Sequence, residues 1–194
     1  MRHTPVTKLL LVAIVAGFGL QLWSDTSGTA SLTALGANER TAVLAGESWR
    51  LLTSMFLHGG FVHLALNAWG LYQLGTLFES WLGSTRMAVT YFVTGIAGSL
   101  ASIAWTQGPS VGASGAIFGL LGALIAFLLR RHAALSPQGK SILSQLVMWA
   151  VINVFFGFST PGIDNAAHLG GCAAGFLLGL TLRERGSYRS VAEA

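Results

Sequence analysis

Six apolar stretches run through this chain, and none of them contains Lys, Arg, Asp or Glu. They are approximately Leu9–Trp23, Phe61–Phe78, Met87–Trp105, Val111–Leu129, Ile142–Phe158 and Ala166–Leu182. A helix crossing the hydrocarbon core of a bilayer needs about 20 mostly apolar residues, with a working range of about 17–25. The pattern therefore predicts an all-α membrane protein with six transmembrane helices. Composition agrees, because 53% of the residues are hydrophobic and only 9% are charged. A water-facing domain of this length needs about a quarter of its residues charged. A single membrane domain is expected over 9–182, between a short cytoplasmic N-terminus (1–8) and a cytoplasmic C-terminal tail (183–194).

Placement of charge sets the orientation. With the N-terminus inside, the inner segments hold Arg2, Lys8, Arg86, Arg130, Arg131, Lys140, Arg183, Arg185 and Arg189, and the outer ones only Arg40 and Arg50. Nine of the eleven basic residues then lie inside, as the positive-inside rule requires. The basic start, short apolar run and small residues after Trp23 also fit a cleavable signal peptide, which would leave five spans. Without a transit-type presequence and with this compact size, a bacterial cytoplasmic membrane is the expected location. No block of like charge supports a nucleic-acid partner, and the single cysteine, Cys172, reads as a small packing residue.

The segment from Ser24 to Gly60 is too long for a passive turn. Its Glu47–Leu57 part alternates apolar bulk with polar groups, and Trp49 and Arg50 are residues that settle at a membrane boundary. A long first loop lying in the outer interface is expected, with a structural role.

Polar groups inside a bilayer are costly and point to function until packing explains them. His63 and Asn67, four residues apart, share one helix face and can donate toward one point; the pair equally suits interhelical hydrogen bonding. Gly112-Ala113-Ser114-Gly115 opens the fourth stretch. Its flanking glycines leave Ser114 uncrowded and its N–H approachable at a helix start, although a capping serine reads the same way. Ala167-His168-Leu169-Gly170-Gly171 opens the sixth, where a neutral imidazole can take a proton from a serine, or simply be hydrogen-bonded within the bundle. In the charge-derived topology all three lie near outer helix ends, with His63 about two residues in, Ser114 about three and His168 about two. At 1.5 Å per residue they share a level within about one turn. Glycines at four-residue spacing, Gly115 and Gly119 on one helix and Gly171, Gly175 and Gly179 on the other, allow a close contact that carries His168 toward Ser114. Phe118, one turn beyond Ser114, can shelve the imidazole, though lipid or core contact is the commoner use.

Trp49-Arg50, His58 followed by His63-xxx-Asn67, Gly112-Ala113-Ser114-Gly115 and Ala167-His168-Leu169-Gly170-Gly171 together resemble the rhomboid family of intramembrane serine proteases. The resemblance runs from about Leu35 to Leu182 and implies a six-helix rhomboid-like bundle. By match, it implies Ser114 as nucleophile, His168 as base, and His63, Asn67 and the Ser114 N–H as the oxyanion hole. Trp49 and Arg50 correspond to a first-loop structural motif, and Gly171 and Gly175 to helix-packing glycines, while His58, Gly112, Gly115 and Phe118 support the site. Two features depart from better-known members: no soluble domain is expected before the first helix, and Phe118 stands where a tyrosine is often found.

The chemistry so implied is peptide-bond hydrolysis by a dyad, with no cofactor, on single-span or other transmembrane proteins in the lipid. A helical substrate must unwind locally, which favours Gly, Pro or small polar residues near its outer end. Asp164, four residues before His168, is expected at the surface rather than as a third catalytic member. His63 is followed by Leu64 rather than Glu, and no glutamate lies inside a span, which argues against a metalloprotease. Zinc on His58, His63 and His168 remains a formal alternative. From a different class, a non-catalytic rhomboid-like protein that binds or escorts membrane proteins also fits, but Ser114 and His168 are both present.

Overall fold

The computed structural model describes residues 3–24 and 29–183. Met1, Arg2 and, apart from Arg183, the expected cytoplasmic tail 183–194 lie outside them. The described residues are helical and contain no strand. The long helices are α1 (Pro5–Trp23), α5 (Phe61–Leu82), α6 (Ser84–Trp105), α7 (Ser114–Leu129), α8 (Pro137–Ser159) and α9 (Asn165–Gly179). Three short ones, α2 (Thr29–Ala34), α3 (Arg40–Leu44) and α4 (Arg50–Thr53), lie between α1 and α5.

Each apolar stretch thus becomes a helix, with shifted ends. Pro5 and Pro137 start α1 and α8 earlier than hydropathy alone indicates, since Pro suits the first helical turn; Ser136 caps α8 by accepting from the Gly139 N–H at 3.2 Å. Helix α5 continues four residues past Phe78, and only Gly83, at φ 91°, separates it from α6. Glu79, placed by hydropathy beyond the second stretch, therefore sits inside a helix and is buried.

Length and composition qualify α1, α6 and α8 as membrane-crossing helices, and α5 as a fourth when joined to residues 50–56, from which it bends by 95°. The expected six crossings are met only to that extent, because α7 and α9 have 16 and 15 residues. At 1.5 Å per residue they span about 24 and 22 Å, short of a hydrocarbon core of about 30 Å. Helix α1 turns Leu9, Val12 and Val15 outward and α8 turns Val151, Ile152 and Phe155 outward, large apolar residues on surfaces that suit lipid.

Helix α7 is the axis of the bundle, buried from Gly115 to Leu128 on every side. Lipid is as apolar as leucine, so close packing rather than escape from water must hold α9 against it. A Cβ at Gly171, Gly175 or Gly179 would run into the carbonyl oxygens of Gly115, Gly119 and Ala123 respectively. On its other side α9 meets α6, where Gly98 and Gly170 leave room for Ala167 and Ala101. The expected close contact between the fourth and sixth stretches is formed by these glycines.

The segment between α1 and α5 is pinned from within. Arg50 is buried, reaching the carbonyls of Thr33 and Ala37 and the Glu47 carboxylate at 2.6 Å, with its guanidinium 4.8 Å from the centre of the Trp49 ring. Trp49 itself is half exposed and covers Gly36.

Candidate active site

Ser114 is the first residue of α7, not about the third, because Gly112 at φ 123° holds residues 111–113 outside the helix. That backbone conformation is readily open to glycine alone. The turn is tied down on both sides. The Gly112 N–H donates to the Ser54 carbonyl at 2.9 Å, and Asn38 and Ser110 exchange two backbone bonds at 2.9 and 2.8 Å. At the start of a helix the Ser114 N–H has no intrahelical acceptor.

His168 lies three residues beyond the first residue of α9, which starts at Asn165. Its Nε2 is 2.8 Å from Ser114 Oγ, although 54 residues separate the two in the chain. The Phe118 ring is stacked on the imidazole, with centroids 4.2 Å apart and planes 8° from parallel. Phe118 therefore shelves the histidine and is no lipid contact. His168 Nδ1 is buried and has no hydrogen-bond partner among the described residues.

His63 is the third residue of α5, as expected, and its ring lies against Gly112; a Cβ there would come 2.8 Å from both Cε1 and Nε2. The Gly59 N–H donates to His63 Nδ1 at 3.2 Å, so in the neutral ring the proton is on Nε2, the nitrogen facing the Ser114 turn. Asn67 is buried and gives one amide N–H to the His63 carbonyl at 2.8 Å, which leaves one for another acceptor. His58 is buried behind His63, edge-on to it at 5.2 Å between ring centres. Among the described residues no three His, Cys, Asp or Glu side chains converge as a metal site would require. A cavity of about 20 Å³, enough for a water molecule, opens beside Ser114 and is lined by Ser54, Ser99 and Ser110 among others.

Asp164 is half-buried, not exposed at the surface as expected. It is the N-cap of α9, accepting from the Ala167 N–H at 3.0 Å and from the Thr106 hydroxyl at 2.6 Å. Burial opposes its ionisation, but the Thr106 hydroxyl and the Ala167 N–H on Oδ1, with the Ser102 and Ser110 hydroxyls nearby, outweigh it and hold the carboxyl below its ordinary pKa, while Oδ2 is buried with no hydrogen-bond partner among the described residues. Sequence reasoning placed this residue at the surface and missed its capping role, though an Asp just before an Ala-rich helix start is a capping signal. It also missed Gln21, whose amide takes the His58 N–H and gives to the His58 carbonyl, both at 2.8 Å. A lone amide in the first apolar stretch was the available clue.

A family model described as the Rhomboid domain matches residues 45–185. The chain belongs to the rhomboid family. It is similar to the rhomboid protease GluP of Bacillus subtilis, with 39% identity over 183 residues, covering 92% of this chain and 35% of that protein. RHOMBOID-like protein 5 of Arabidopsis thaliana is 42% identical over 161 residues, 81% of this chain and 52% of its own length. The relative YdcA of Bacillus subtilis is 34% identical over 161 residues, 81% of this chain and 74% of its own. This rhomboid thus spans about a third of GluP and about half of the plant protein. It is an integral membrane protein, and the matched region contains every residue of the candidate site named in the sequence.

Proposed function

We propose that this rhomboid is an intramembrane serine endopeptidase that hydrolyses peptide bonds in or near transmembrane helices of other membrane proteins. The observation that carries the reading is the 2.8 Å contact between Ser114 Oγ and His168 Nε2. A serine hydroxyl is a weak nucleophile until a base within hydrogen-bond reach takes its proton. Ser114 Oγ attacks the scissile carbonyl carbon while its proton passes to His168 Nε2. Negative charge gathers on the carbonyl oxygen, where the Ser114 N–H, His63 Nε2–H and the free Asn67 N–H are the candidate donors. The C–N bond then breaks, the departing amine takes the proton from His168, and an ester joins the acyl group to Ser114. Water, deprotonated by His168, attacks this ester and releases the acid.

The short α7 and α9 support a site that water reaches. Both begin at the dyad, so a crossing completed by adjoining loops leaves Ser114 below the outer surface but not at mid-membrane. In this reading the chain crosses the membrane six times, with both termini in the cytoplasm of a bacterium and the 24–60 segment in the outer interface. Residues 1–8 and 183–194 flank a membrane domain over 9–182. Substrates are helices that unwind readily near their outer ends, with lipid as the common solvent.

The test is cleavage of single-span reporter proteins in detergent by wild type, Ser114→Ala and His168→Ala. Wild type alone should cut, and wild type alone should take a serine-directed fluorophosphonate label. Equal cutting by all three proteins would refute the dyad. If wild type neither cuts nor labels, the non-catalytic binder is the better reading.

A further inference from the structure

In a serine–histidine–acid triad the base is oriented through its second ring nitrogen. Among the described residues His168 has no such partner, because Nδ1 is buried and unbonded. Phe118 fixes the plane of the ring but not its position within that plane. The position of Nε2 must then come from where α9 places the His168 backbone. The glycine contacts that hold α9 set its distance from α6 and α7, and Arg130 reaches the Leu180 and Leu182 carbonyls at its far end, so the end that carries His168 needs a fix of its own.

Asp164 supplies that fix. Its Oδ1 receives the Ala167 N–H, immediately before His168, and the Thr106 hydroxyl from the end of α6. Its own carbonyl accepts the His168 N–H at 3.2 Å. Thr106 itself begins the 106–113 segment that leads through Ser110 to Ser114. Ser110 is in turn paired with Asn38. One half-buried side chain thus joins the turn that presents the base to the segment that presents the nucleophile. We propose that Asp164 is a positioning residue of the dyad, one that orients His168 through the backbone of α9 instead of through the imidazole. The inference rests on the serine-protease reading of Ser114 and His168.

The experiment uses the full chain in detergent and compares Asp164→Ala, Asp164→Asn and Thr106→Val with wild type. Three quantities are read per folded molecule: kcat, KM and the rate of fluorophosphonate labelling of Ser114, which needs the dyad but no peptide substrate. Asp164→Ala should lower kcat and the labelling rate together by about tenfold to a hundredfold, the scale of a misplaced catalytic group, with KM within about twofold. Asp164→Asn, which keeps a side-chain oxygen for the Ala167 N–H, should recover most of the loss. Thr106→Val deletes one bond and keeps the cap, so it gives a several-fold effect in a protein that folds even where Asp164→Ala does not. Wild-type kcat and labelling per folded molecule in Asp164→Ala, or in Thr106→Val if only that variant folds, would overturn the proposal. Ser114→Ala and His168→Ala controls that still cut would instead defeat the underlying dyad, so the two failures are distinguishable.

Discussion

Gly112 shows how much of the candidate site depends on an atom that is absent. Its φ of 123° is closed to most side chains, and the space where a Cβ would stand is filled by the His63 ring. Gly112→Ala should therefore act twice, straining the turn before Ser114 and pushing His63 away from it. The left-handed strain alone costs about 1–2 kcal/mol. The displaced His63 Nε2–H should further lower kcat for reporter cleavage by at least about tenfold. Thermal unfolding and single-turnover cleavage, measured on the same preparation, separate the two effects; unchanged kcat in the folded variant would remove His63 from the oxyanion site. The meeting of Ser114, His168 and His63 was legible in the sequence because each, ordinary by itself, falls at the same level near an outer helix end. Asp164 and Gln21 were not, because their importance lies in partners 58 and 37 residues away that no local pattern names.

At the level of the helix, the contact between α7 and α9 is a row of backbone-to-backbone approaches with no spare volume. Gly171→Ala and Gly175→Ala should each destabilise the protein by about 1–3 kcal/mol, the usual cost of overpacking. Gly171→Ala, three residues from His168, should also reduce kcat more than Gly175→Ala does. Gly19→Ala in α1 is the control: nothing lies within 4 Å of the added methyl, and helix propensity predicts a gain of up to about 1 kcal/mol. Unfolding midpoints in detergent give the ranking, and a Gly175→Ala variant as stable as wild type would contradict it. The N-terminal end of α9 has a pH dependence of its own. The hydroxyls of Ser102, Thr106 and Ser110 and the Ala167 N–H face Asp164, and together they keep its folded pKa below the unfolded one. Its stabilisation is therefore complete above the unfolded pKa and fades as pH falls through the lower folded value, in the range below about pH 4. Asp164→Asn should flatten the acid limb of the stability profile, and a limb identical to that of wild type would show that the carboxylate carries no such linkage. The helices themselves were legible because apolar length is a strong signal. Their ends were not, since Pro5, Gly83 and Gly112 move boundaries by three or four residues through backbone geometry that hydropathy does not register.

Across the whole molecule, the candidate site and an anchor lie at opposite ends of α5. His63 is on its first turn, beside the dyad; Glu79 is sixteen residues on, about 24 Å away at 1.5 Å per residue. There the buried Glu79 carboxylate accepts the Val6 N–H at 3.0 Å, the Thr7 N–H at 2.8 Å, the Thr7 hydroxyl at 2.7 Å and the Ser84 hydroxyl at 2.7 Å. It caps the start of α1 from another helix and ties α6 to both, while Gly75 lets Thr7 come close. Four donors are left without an acceptor if the carboxylate is removed, and each buried orphan costs about 1–3 kcal/mol unless water reaches it. Glu79→Ala should thus lower the unfolding midpoint more than any single glycine variant above. Its kcat and fluorophosphonate labelling rate per folded molecule should nevertheless equal those of wild type. Helix α1 meets the site at its far end, where Gln21 holds the His58 backbone. If Glu79→Ala slows labelling at full folding, then α1 transmits its anchoring along its whole length to His58 and His63, and the two ends of the bundle are coupled. An unchanged rate with a lowered midpoint would mean that the anchored end sets how long the bundle survives, and the other end what it does.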